Sequence, residues 1–99
     1  MKIDGLLPIG SVVKLNGGTR SVMIMGLCQR QLGENERVWD YSGVLYPQGY
    51  ISGNQVFMFN HEQIVSVYFL GYQDDEQISF MKEIEALNAK AHQGNRGGE

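Results

Sequence analysis

The stretch from Arg20 to Gln31 (Arg-Ser-Val-Met-Ile-Met-Gly-Leu-Cys-Gln-Arg-Gln) constrains the fold of this chain more than any other. It has the length and residue types of one long β-strand. Alternation puts Val22, Ile24 and Cys28 on one side and Met23, Met25 and Leu27 on the other. A strand that is apolar on both faces is either covered twice or presents one face to a partner. Gly26 in its middle marks a bulge or bend, the usual device for curling a sheet.

The segments around it are also strand-like. Gly10–Leu15 predicts a short strand, and Asn16-Gly17-Gly18 a hairpin turn. Val38–Tyr46 predicts the next strand, closed by the turn signal Pro47-Gln48-Gly49. Tyr50–Ser52 and Val56–Phe59 are short extended pieces, and Asn60–Gln63 predicts a tight or 3₁₀ turn. Ile64–Leu70 is the most β-prone run of the chain.

The pattern changes at Asp74. Phe80, Ile84, Leu87 and Ala91 recur at helical spacing, with Met81 beside them. Asp74 is placed to cap a helix, with Gln77 three residues on as a variant capping box. A helix over about 75–91 is expected to pack its Phe80/Ile84/Leu87 stripe on the sheet. Gln93 to Glu99 has no apolar residue, so a disordered tail is expected after a single domain of residues 1–92. The predicted class is mainly β (α+β): a small, strongly bent antiparallel sheet or open barrel. It has four to five strands, is Src-homology-3-like, and carries one C-terminal amphipathic helix.

Charge and composition narrow the function. Eleven acids against eight bases leave a net charge of −3, which disfavours a generic nucleic-acid binder. Stacking by Trp39, Tyr41, Tyr46, Tyr50, Phe57, Phe59, Tyr68 and Phe69 would need more bases than the scattered Lys14, Arg20, Arg30 and Arg37. Core packing is the default expectation for most of those rings. Asp4 and Pro8 interrupt any secretory leader, and no run reaches the ~18 apolar residues of a membrane span. A cytoplasmic location is the expectation, with no membrane association.

The chemistry-bearing residues all have structural explanations. Cys28 is the only cysteine, lies in an apolar run and has no cationic neighbour to activate it. His61-Glu62 lacks the second histidine of a zinc helix, since position 65 is Val. Asn60 and His61 are expected to bond local backbone in a turn. Asp74, Asp75 and Glu76 suit a helix N-terminus. Gly17-Gly18 is not followed by a phosphate-loop pattern. No enzyme, cofactor or metal site is expected. The methionines Met23, Met25 and Met58 either fill a small core or form an adaptable protein-binding face.

Three blocks carry a resemblance. They are Leu6-Leu7-Pro8-Ile9-Gly10-Ser11-Val12-Val13-Lys14-Leu15 with Gly17-Gly18, then Trp39-Asp40-Tyr41-Ser42-Gly43-Val44 with Tyr46-Pro47-Gln48-Gly49, then Phe59-Asn60-His61-Glu62-Gln63-Ile64 running into Val67–Tyr72. In this order, over about Ile3 to Leu87, they resemble a small domain-of-unknown-function family of Gram-positive Firmicutes. Its members are encoded beside LXG toxins in type VII secretion clusters. The resemblance implies a cytoplasmic chaperone or adaptor that binds an LXG effector or its small helical targeting partners. It implies no catalytic residue. Type VII substrates themselves are helical hairpins with a Trp-x-Gly turn, whereas Trp39 is followed by Asp40-Tyr41.

Such a protein needs an adaptable apolar surface. Parity and the loop after Pro47 make Met23, Met25, Leu27, Tyr46, Tyr50 and Ile51 the candidate partner-binding residues. A sheet edge that accepts a partner strand is another route. An immunity protein that binds the toxin domain, a nucleic-acid-binding regulatory barrel and a homodimer are the competing outcomes.

Overall fold

A computed structural model of the chain describes residues 5–31 and 37–97, with side chains described over 5–29 and 38–88. The strands are β1 (Val12–Leu15), β2 (Ser21–Gln31), β3 (Arg37–Leu45), β4 (Phe57–Phe59) and β5 (Ile64–Phe69). One helix follows, α1 (Asp75–Gly97). The five strands form one antiparallel sheet in the order β4-β3-β2-β1-β5, which is open, with β4 and β5 at its edges. Gly17 has φ +81 in the β1–β2 hairpin, a left-handed conformation that glycine adopts without a steric penalty. The expected turn at Asn60–Gln63 is a 3₁₀ turn over His61–Gln63, and a second spans Gly53–Gln55. The predicted loop at 32–36 lies outside the described residues.

β2 lies second from β5 and forms the spine of the sheet through its long pairing with β3. Its register with β3 shifts between Ile24 and Gly26, so Met25 is the extra residue of a bulge at the predicted glycine. A Cβ at position 26 would lie 2.5 Å from the Ser42 hydroxyl and 3.0 Å from the Gln29 amide, so both side chains would have to swing aside for any larger residue. The bulge reverses the alternation expected along β2. Val22 and Ile24 stay inward, but Leu27 also turns inward and is buried in the core. Cys28, with φ 52, continues the irregularity.

The core contains Leu7, Val13, Val22, Ile24, Leu27, Tyr41, Phe59, Ile64 and Met81. Tyr41 and Phe59 stack at its centre, ring centroids 5.3 Å apart. Most of the other rings expected inside are outside. Tyr46, Tyr50, Phe57, Tyr68 and Phe69 are all exposed. One helix covers only one face of an open sheet, which leaves Tyr46, Tyr68 and Phe69 uncovered on the other, while Tyr50 lies in a loop and Phe57 on the edge strand β4.

The helix begins as predicted, with Asp74 Oδ1 accepting from the Gln77 N–H at 2.8 Å. The reciprocal half of a capping box is not made, and Gln77 Oε1 is buried without a partner. The helix is rotated from the expected orientation. Met81 and Asn88 are buried and Ile84 packs on the core, whereas Phe80 and Leu87 are exposed. At 100° per residue, Phe80 lies ~100° and Leu87 ~120° from the Met81 direction. Polar contacts set this rotation: Asn88 reaches Asp40 and Glu85 reaches the Leu6 N–H. Helical backbone continues to Gly97, past the stop expected at Ala91 and through most of the tail expected to be disordered. Ala89, Lys90 and Ala91 favour helix, no proline follows, and a single internal glycine costs only about 1 kcal/mol.

Candidate functional site

Two features stand out, a buried polar hub and an open apolar groove on the opposite side of the sheet. The hub starts from the Trp39-Asp40-Tyr41 stretch of β3. Asp40 Oδ1 accepts from Asn88 Nδ2 at 2.6 Å, and Oδ2 accepts from the His61 backbone N–H at 2.8 Å. The Asp40 N–H donates to Asn60 Oδ1 at 3.1 Å. Asn60 N–H in turn donates to Gln63 Oε1 at 2.8 Å. Asn60 and His61 therefore bond residues some twenty positions away, not only their own turn as expected.

Tyr41 extends the hub to the N-terminal segment. Its hydroxyl accepts from the buried Leu7 N–H at 2.9 Å and lies 2.6 Å from His61 Nδ1. The Tyr41 oxygen accepts from Leu7 and still has a proton to donate and a lone pair to accept with, so the direction of the bond to His61 follows the imidazole tautomer. Burial pushes the Tyr41 phenol far above its ordinary value, with smaller upward contributions from Asp40 and Glu85 and an opposing one from the Leu7 N–H. Burial and then the Asp40 carboxylate push the Cys28 thiol up as well, the opposite of what activates a thiolate nucleophile. Tyr41 is fully buried, while His61 beside it is half-buried. Among the described residues, no group of three or more His, Cys, Asp or Glu side chains could hold a metal. The hub joins β3, the 3₁₀ turn, α1 and the N-terminal segment.

The groove lies on the sheet face turned away from the main core. Cross-strand pairing aligns Phe69 with Val12, Val12 with Met23, and Met23 with Val44, one apolar row across β5, β1, β2 and β3. Val12 and Val44 are buried yet stand outside the main core cluster, so they form the floor of a second apolar layer. A groove of about 530 Å³ opens over this row, lined by Val12, Met23, Tyr46, Tyr68 and Phe69, with Gly10 and Ser21 leaving space. Tyr68 and Phe69 are neighbours in sequence and would ordinarily face opposite sides. The β1–β5 register skips Tyr68, pairing Val12 with Phe69 and Val13 with Val67, so both rings line the same groove.

The candidate partner-binding residues therefore divide. Met23 and Tyr46 line the groove, and Met25 is exposed on the bulge beside it in sequence. Tyr50 and Ile51 are exposed on the connection between β3 and β4, and neither lines the groove. Leu27 is in the core, a correction that follows from the Met25 bulge. Sequence reasoning missed Val12, Tyr68 and Phe69. The one available signal was the absence of any charge in the strongly β-prone run Ile64–Leu70, which said nothing of which face it would show.

The profile of a domain of unknown function, DUF4176, matches residues 6–80. The chain belongs to the DUF4176 family. The matched span holds the whole sheet, both lips of the groove and every hub residue except Asn88 on the later part of α1. No curated protein and no solved structure matches the chain. Among the described residues, no helix is long and apolar enough to cross a membrane.

Proposed function

We propose that this DUF4176 protein is a non-enzymatic cytoplasmic accessory factor. In this reading it is a chaperone or adaptor that binds an LXG-type effector, or that effector's small helical targeting partners, for type VII secretion. The observation that carries the reading is the aromatic groove. Tyr46, Tyr68 and Phe69 are each more than half exposed, and they surround an apolar floor. Large exposed apolar patches on small domains mark protein-binding sites, and methionine at the floor lets the surface adapt to varied side chains. The three sequence blocks supply the partner class, through their resemblance to proteins encoded beside LXG toxins. Against an enzymatic reading stand the inaccessible Tyr41 and the raised Cys28 thiol.

Binding of the purified protein to the LXG effector encoded beside it, measured by calorimetry, tests the reading. The expected outcome is a stoichiometric complex that survives deletion of the toxin domain. Binding lost with the toxin domain would make the protein an immunity factor instead, and no binding to the effector or its helical partners would overturn the reading.

A further inference from the structure

We infer that the groove between Tyr46 and Tyr68/Phe69 is the docking site, and that its occupant is a peptide segment of the effector complex with bulky apolar side chains followed by carboxylates. This rests on the chaperone reading above and names the surface and the chemistry of the partner segment.

The apolar part follows from the groove's lining. Two or three large side chains fill about 530 Å³, and the floor residues Val12 and Met23 offer no hydrogen-bonding side chain. The carboxylates follow from charge. The chain as a whole carries −3, yet the described charged side chains on this face are bases. Lys14 shares Val12's side of β1 and is cross-strand from the lining residue Ser21. Arg20 immediately precedes Ser21, and with the Gln48 amide oriented to satisfy its neighbours, its guanidinium donates to Gln48 Oε1, two residues from Tyr46. Of the three Lys and Arg side chains described (Lys14, Arg20 and Lys82), two therefore stand at this end of the groove. The described acids lie elsewhere in the chain. Asp40 is held in the hub, Glu62 is in the 3₁₀ turn, and the rest lie on α1 or at its cap.

This charge distribution decides between occupants. A second copy docked face to face would bring four such bases into one interface, with no acid among the residues lining either groove to meet them. A partner with carboxylates meets them and is steered toward the groove. Addition of a partner strand along β5 is less well served, because the β5 register with β1 is interrupted at two places. Phosphates would also meet the bases, but two bases on an acidic chain make a poor backbone track.

The test uses the full-length protein and the purified LXG targeting region of the neighbouring effector, with Kd measured by calorimetry. The double variant Tyr46→Ser/Tyr68→Ser changes only exposed side chains, so its thermal midpoint should match the parent. It should weaken binding at least tenfold. Lys14→Glu/Arg20→Glu should weaken binding several-fold at low salt and flatten its dependence on salt. Phe80→Ser/Leu87→Ser, on the exposed helix stripe, should leave Kd within twofold. If the parent binds and the Tyr46/Tyr68 variant binds equally well, the groove assignment is overturned while the chaperone reading stands. If the charge reversal tightens binding, the partner segment is basic and the assigned chemistry is wrong. Two further results would overturn the occupant: tight binding of a fluorescein-labelled dT12 oligonucleotide lost in the Tyr46/Tyr68 variant, or a dimer by light scattering that this variant dissolves. No binding by the parent would overturn the chaperone reading itself, and the named partner with it.

Discussion

Replacing Tyr41 by Phe removes one oxygen from the middle of the hub and leaves the ring where it is. Its stacking on Phe59 is retained, so the loss reports the hydroxyl alone. The first consequence is a buried Leu7 N–H with no acceptor, since Leu7 is only 1% exposed and its N–H bonds the Tyr41 oxygen. An orphaned buried donor costs about 1–3 kcal/mol. His61 is half-buried and can turn Nδ1 toward water, so its share is the smaller one. A total near 2 kcal/mol is expected, and at roughly 4–8 °C per kcal/mol for a domain of this size the thermal midpoint should fall by about 8–16 °C. Urea unfolding should show a lower midpoint with an unchanged m-value. The variant also changes the alkaline limb. The folded-state phenol is pushed above its ordinary value of 10.0, so its proton stabilises the fold fully below that pH. That stability is lost as pH rises from 10 toward the folded-state value, and Tyr41→Phe should lack this loss. A midpoint change under about 2 °C would show that water reaches the Leu7 N–H, and the account of the hub as a sealed network would be wrong.

Asn88→Asp places a second carboxylate against Asp40, where Nδ2 now donates at 2.6 Å. Two buried like charges should cost about 3–5 kcal/mol at pH 7. The loss should shrink as pH falls toward roughly 5, because the shared proton raises the folded-state pKa of the pair; unfolding curves at the two pH values check this. Gly71→Ala forces a Cβ onto the Ile9 carbonyl oxygen and within 3.0 Å of the Ser11 nitrogen, all backbone atoms that cannot swing aside. It should unfold the domain or lower its midpoint by more than 10 °C on the order expected for ~2–3 kcal/mol, whereas Gly53→Ala, which meets nothing within 4 Å, should be nearly neutral. Thiol labelling of the folded protein at pH 8 should be slower than in urea, because the Cys28 thiol is raised above 9.0 by burial first and Asp40 second. Equal rates would mean that Cys28 is freely solvated.

What local rules govern was visible in the chain itself. Strands, turns and the helix start depend on propensity, alternation and capping within a few residues. Ile64–Phe69, the 3₁₀ turn at His61–Gln63 and the Asp74 cap accordingly fall where those rules place them. Gly26 was legible as a bulge, but not its consequence: once Met25 is the extra residue, Leu27 changes faces and joins the core. The rotation of α1 was likewise out of reach. Asn88 has the character of a solvent residue until Asp40, 48 positions earlier, is seen to need a donor. Half of the groove was foreseen from Met23 and Tyr46; the other half, Tyr68 and Phe69, depends on a skipped register between β1 and β5. Propensity acts between neighbours in sequence and so can be read from sequence. Register, helix rotation and which face stays uncovered are decided by side chains that meet only when strands from opposite ends of the chain lie side by side, and the tertiary structure alone determines them.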